Sequence, residues 1–151
     1  MKPDFALHPR LRADTFAIGD MALSRALLMN DARFPWIILV PRLPDLRELS
    51  DLPEDMRATM FDEIARASRA LVSLDGVEKT NVGALGNIVR QLHVHVVGRS
   101  SGDPAWPGPV WGFGAALPYD AERAEERAAA LGSALNIEAP FTRLASAETR
   151  L

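Results

Sequence analysis

The stretch Gln91-Leu92-His93-Val94-His95-Val96-Val97 alternates polar and apolar residues strictly over its first six positions. A period of two is the mark of a β-strand, whose side chains leave opposite faces in turn. Leu92, Val94 and Val96 then share one face, and Gln91, His93 and His95 share the other. Successive same-face residues lie about 7 Å apart at the usual strand rise. The first face feeds a hydrophobic core. The second carries an amide and two imidazoles in a row, so it is expected to meet solvent, a ligand or a polar layer rather than a second hydrophobic core. The fold must therefore present a sheet with one apolar and one polar face here.

The remaining elements follow from pattern and punctuation. Thr15-Phe16-Ala17-Ile18, before Gly19-Asp20, reads as a short strand, with Ala26-Leu27-Leu28-Met29 as its hairpin partner. Trp36-Ile37-Ile38-Leu39-Val40, bounded by Pro35 and Pro41, reads as a strand buried on both faces. Residues 79–97 hold two strands joined by a loop containing Gly83, Gly86 and Asn87. Met56, Met60, Ile64, Ala67, Leu71 and Leu74 recur at helical spacing and predict a helix over 53–74. Pro53 opens it, Asp75-Gly76 stops it, and Arg57, Glu63, Arg66 and Arg69 lie off the stripe. A second helix is predicted over 120–135, capped by Asp120, with Ala124, Ala128, Leu131 and Leu135 as its apolar side. Residues 1–14 read as a loosely attached arm. The Gly- and Pro-rich stretch after Arg99 carries Trp106, Trp111 and Phe113, which predicts an ordered loop lying on the protein or on a partner. The tail from Asn136 reads as part strand-like and part frayed. The expected class is α+β: an antiparallel sheet of about five strands with a helix across one face and a C-terminal helix.

Composition narrows the chemistry. The 151 residues, 48% apolar and 25% charged, suit one globular domain over 1–151. With no cysteine, disulfides, thiol nucleophiles and cysteine-held metals are excluded. A net charge of −3 argues against a nucleic-acid groove. The longest apolar run, Trp36 to Val40, is too short for a bilayer. The opening MKPDFALHPR has no apolar signal core, so a cytoplasmic protein is expected.

The chain has three histidines, and the two on the alternating strand admit three readings. One is a solvent-facing sheet that happens to carry histidine. Another is a metal site, but Asp103 is the one obvious carboxylate shortly downstream and no metal spacing is present. The third is phosphate chemistry. A neutral imidazole can attack phosphorus, while amide and imidazole donors stabilise charge on the oxygens. Gly83 and Gly86 would let backbone N–H groups approach an anion, although they equally suit a hairpin loop.

These residues resemble the histidine triad family of nucleotide hydrolases and transferases. That family carries His-φ-His-φ-His-φ-φ on a strand, with φ apolar, and the run from Gln91 to Val97 matches in register with Gln91 at the first histidine. Asn81-Val82-Gly83 and Gly86-Asn87 look like its phosphate loop, and Trp36 to Pro41 like its apolar strand ending in proline. The resemblance covers a core of about residues 12–99, with a C-terminal loop and helix over 100–151. It implies that His93 is the nucleophile, forming a phospho-histidine, and that His95 orients phosphate with Gln91 in support. It further implies phosphate binding by Asn81, Gly86 and Asn87, and nucleoside contacts from Asn30, Trp36 and Trp106. Neither metal nor organic cofactor is implied; a small nucleotide substrate and a homodimer are. The departures from the family are Gln91, Trp36 at a position that normally holds a further histidine, and Ile88 where some branches use Ser or Thr.

Two other classes stay open at the level of sequence. Loss of two histidines suits a nucleotide-binding module with little turnover. The apolar segment 104–117 suits a contact surface in a purely structural domain. His8 has no assigned role.

Overall fold

A computed structural model describes residues 4–137. Its centre is a five-stranded antiparallel sheet in the order β1-β2-β3-β5-β4. The strands are β1 (Thr15–Asp20), β2 (Ser24–Met29), β3 (Trp36–Pro41), β4 (Lys79–Gly83) and β5 (Val94–Arg99). Three helices accompany them: α1 (Pro9–Asp14), α2 (Arg57–Val72) and α3 (Ala121–Ala134). The α+β class and the strand pairing follow the expectation. The central strand β3 is buried at all of its positions, as its unbroken apolar run requires.

Alternation sorts the sheet into two faces. Leu92, Val94, Val96, Ile37 and Leu39 join Met60, Ala67 and Leu71 of α2 in the main core. On α2 the stripe is as expected, with one correction. Glu63, expected off the stripe, is 1% exposed. Its carboxylate accepts the backbone N–H groups of Leu23 and Ser24 at 2.7 and 3.0 Å. A buried carboxylate is tolerated where it satisfies such donors, and here it ties α2 to the β1–β2 turn. The helix is also shorter than 53–74: residues 49–56 form two 3₁₀ turns, and Pro53 caps the second of them. Asp120 caps α3 as expected, accepting the Arg123 N–H at 2.9 Å.

The opposite face overturns two expectations. It does hold a second hydrophobic cluster. Leu27, Ile38, Val40 and Val97 from the sheet are covered by Leu7, Leu11, Phe34, Val89, Ala105 and Val110. The N-terminal arm is therefore part of the fold, since Leu7 and Leu11 are buried and α1 folds over the sheet. The alternating run counts polar residues on its own strand only. It cannot see that neighbouring strands and loops bring apolar groups to the same side. The histidines sit at the margin of this cluster.

The long loop after β5 is ordered, as expected, and Arg99 anchors it. That side chain is buried, donates to Asp103 at 2.7 and 3.1 Å, and donates to the Gly108 carbonyl at 2.8 Å. The expectation for the tail falls almost entirely on residues 138–151, outside the described residues. Among the described residues no helix is long and apolar enough to cross a membrane.

Candidate active site

His93 and His95 project from the end of the alternating run into one cavity of about 500 Å³, within the size range of small-molecule sites. β5 begins at Val94, so His95 is held within the sheet between Ile38 of β3 and Gly83 of β4. His93 lies one residue ahead of the strand. The two rings meet edge to face, with centroids 4.8 Å apart.

Their hydrogen bonds define opposite tautomers. Nδ1 of His93 lies 2.6 Å from the Gln91 carbonyl. A carbonyl only accepts, so Nδ1 carries the proton and Nε2 keeps its lone pair. His95 is the reverse. The Trp36 indole N–H donates to its Nδ1 at 3.0 Å, and an indole has no acceptor role. Nδ1 of His95 is therefore bare, and the proton of the neutral ring sits on Nε2. Both rings favour the neutral form. Burial lowers the His93 pKa from its ordinary value, the nearby His8 lowers it further, and the Gln91 carbonyl opposes. Burial, with the His93 charge as a smaller cause, brings His95 down to about 4. The site thus sets a bare ring nitrogen on one histidine beside a protonated one on the next.

Four surrounding segments close the cavity. Arg10, Leu11 and Asp14 come from α1, and Asp31 and Arg33 from the turn before β3. Gly86, Asn87 and Ile88 form one lip, and Val110 to Gly114 form another. Gly86 adopts φ +68°, a conformation that favours glycine. The charged groups are matched in pairs. Arg33 grips Asp31 at 2.8 and 2.9 Å and donates to the Phe113 carbonyl at 2.6 Å. Burial alone would raise the Asp31 pKa, but the Arg33 bonds and the Leu117 N–H together hold it below the usual carboxylate range. Arg10 and Asp14 lie 3.5 Å apart. Among the described residues no group of three or more His, Asp or Glu is placed to hold a metal ion.

The structure brings His93, His95, Trp36, Gly86 and Asn87 to the cavity wall. It does not bring Gln91, Asn81, Asn30 or Trp106 there. The Gln91 amide faces the N-terminal arm, donating to the Ala6 carbonyl at 2.9 Å and accepting the His8 N–H at 2.8 Å. Residue 91 lies three residues ahead of the regular strand, beyond the reach of the alternation that still places Leu92 and His93. Asn81 accepts from Arg99 at 2.7 Å, and Asn30 accepts the Tyr119 N–H at 2.8 Å. Trp106 lies over the Arg99 guanidinium, 5.6 Å from the ring centroid.

Trp111 stands where Trp106 was expected. Its ring meets His95 at 5.7 Å and Trp36 at 6.4 Å, both edge to face. Gly83 makes room for it rather than for an anion, since a Cβ there would lie 3.1 Å from Cη2 of Trp111. From sequence, Trp111 is named only as part of an ordered loop, and neither it nor Arg33, Asp31 or the α1 residues are assigned to the site. The one available signal was the glycine on either side of Phe113, which lets the chain turn back over the site with φ of +81° and +60°.

Known proteins share this fold. Solved structures similar to the chain include a histidine triad (HIT) protein from Sinorhizobium meliloti 1021, with 47% identity over 85% of this chain and 96% of that one, TM-score 0.83. A histidine triad protein from Bradyrhizobium japonicum shows 47% identity over 88% and 99% of the two chains, TM-score 0.85. Another, from Marinobacter aquaeolei VT8, shows 45% over 89% and 98%, TM-score 0.85. No curated protein matches the sequence at a significant level. The HIT domain family model matches residues 10–102, most of the chain and all of the sheet. The chain belongs to the HIT domain family.

Proposed function

We propose that this protein acts on phosphorus-containing bonds of small nucleotides, as a hydrolase or nucleotidyl transferase, through a covalent intermediate on His93. The observation that carries the reading is the opposed pair of tautomers: a bare Nε2 on His93 and an N–H at Nε2 of His95 at one cavity. Family membership supports the general class of chemistry.

The Nε2 lone pair of His93 attacks phosphorus, and an N–P bond forms as the bond to the leaving group breaks. The bonding pair departs with the leaving group, which takes a proton from water. The phosphorylated imidazole is then cationic, with the proton on Nδ1 still held by the Gln91 carbonyl. A water or second acceptor attacks phosphorus next. The N–P pair returns to Nε2, and the attacking group loses its proton to solvent. His95 Nε2–H and the backbone at Gly86 and Asn87 stabilise charge on the phosphate oxygens. Leu11, Ile38, Val89 and Trp111 offer an apolar wall for the nucleoside. We also propose a homodimer. Its support is that β4 lies at the sheet edge, with Val82 and the nearby Leu85 and Ile88 all exposed.

The test is turnover of nucleoside phosphoramidates and dinucleoside polyphosphates by wild type and His93→Ala. The variant is expected to lose at least about a thousandfold in rate, and intact mass after a rapid non-acidic quench should show a nucleotidyl adduct on wild type only. Turnover that survives the substitution unchanged removes His93 as nucleophile. A second reading, nucleotide binding with little turnover, is favoured by one observation: neither ring is set up as a cationic acid for a poor leaving group. Equilibrium binding without product across that panel would select it.

A further inference from the structure

Trp36 is 5% exposed at the head of β3, wedged between His95 and Trp111. Register explains the contact. Trp36 pairs with Val97 and Ile38 pairs with His95, so Trp36 and His95 are diagonal neighbours on one face. The indole N–H reaches Nδ1 of His95 at 3.0 Å. We propose that Trp36 is a positioning residue, whose N–H holds the His95 ring in the one tautomer that turns Nε2–H toward the cavity.

The physical reason is donor and acceptor matching. An indole nitrogen donates and never accepts. If His95 carried its proton on Nδ1, two N–H groups would face each other at hydrogen-bond distance, and a buried indole donor would lose its partner. Protonation of His95 produces the same clash. Trp36 therefore does two things: it fixes which nitrogen carries the proton, and it acts with burial to keep the ring neutral in acid. The indole does not titrate in this range, so its hold is independent of pH. The His95 ring takes its hydrogen bond from Trp36. Its other ring neighbours are His93 and Trp111, and the β4 residue beside it is Gly83. The charged groups of the cavity are paired as Arg10 with Asp14 and Arg33 with Asp31, while His8 acts on His93. The site then keeps a constant donor at His95, and one ionisation, that of His93, shapes the acid limb of any rate profile.

The kinetic half of this inference rests on reading His93 as the nucleophile, but the tautomer half does not. The experiment separates them. Long-range proton–nitrogen spectra of histidine-labelled protein report the tautomer of each ring without any substrate. In wild type, His95 is expected as the Nε2–H form from about pH 5 to 8. In Trp36→Phe, which keeps an aromatic ring but removes the donor, His95 should become a mixture of forms and titrate at higher pH. The kcat of that variant should fall roughly tenfold with KM changed by no more than about twofold, and a second ionisation should enter the acid limb. Wild-type His95 found as Nδ1–H, or as a cation at pH 6, overturns the proposal even if the variant does not fold. So does a Phe variant that keeps both the wild-type tautomer and the wild-type rate. If no nucleotide is turned over by wild type, the spectra still decide the role of Trp36 while the nucleophile reading fails separately.

Discussion

Replacing Gln91 by alanine distinguishes two roles for a residue at the first position of the histidine motif. As a phosphate donor it would act on the reacting group. In the structure its amide instead bridges the N-terminal arm, through the Ala6 carbonyl at 2.9 Å and the His8 N–H at 2.8 Å. Those two bonds help seat α1, which carries Arg10, Leu11 and Asp14 into the cavity wall. Each is worth about 0.5–1.5 kcal/mol, so together they bias the seated arm by about 1–3 kcal/mol. Leu7 and Leu11 stay buried on their own account, so the arm loosens but does not leave. Binding then has to restore the seated state, and the apparent KM rises by no more than roughly fivefold to 150-fold, the ratio equivalent to that bias, and by less while the arm stays mostly seated. The backbone carbonyl that holds His93 remains in the variant, so kcat should stay within about threefold. Steady-state kinetics on a nucleoside phosphoramidate would read the split. Hydrogen exchange over residues 5–12, which needs no substrate, should show faster exchange in the variant. A large drop in kcat with KM and exchange unchanged would refute the clamp and return Gln91 to the phosphate.

Two further outcomes follow from charge and burial. His95 titrates near 4 in the folded protein against an ordinary 6.5, so the unfolded chain binds more protons between those values. By linkage its stabilising contribution, up to about 3 kcal/mol, is fully present above the ordinary value and is lost as pH falls toward the folded one. His93 adds with the same sign. Urea unfolding at a series of pH values should show this loss, with a shallower dependence in His95→Asn, and equal slopes in the two proteins would count against it. Asp103→Ala strands the Arg99 guanidinium, whose side chain is 1% exposed. That change should remove about 3–5 kcal/mol and lower Tm by roughly 10 °C. Calorimetry should find the double variant Arg99→Met/Asp103→Ala more stable than the single one, and the reverse order would deny that the stranded charge is the cause.

Much of this molecule is local and was therefore legible. Alternation at 92–97, the apolar run of β3 and the stripe of α2 each specify a face without reference to the rest of the chain. The motif residues His93 and His95 reach the cavity because the period of two holds in β5 and just ahead of it. Gln91 shows where that logic stops. Two residues before His93 the chain leaves the ladder's influence, and the side chain takes the partners that an arm 83 to 85 residues distant brings to it. Glu63 fails for the same reason, since its charge looked solvent-bound until a hairpin turn supplied two N–H donors.

Sequence by itself determined the α+β class, the strand order along the chain and the pair of histidines on one face. It also limited that face to two imidazoles, because the third histidine, His8, stands outside the motif. Tertiary structure alone decided which ring nitrogen is bare, which tryptophan stands in the site and which amide is withdrawn from it. The first set depends on neighbours within a few residues, which periodicity records. The second depends on single hydrogen bonds between elements far apart in sequence, such as Trp36 to His95, and their geometry exists only once the sheet has set its register.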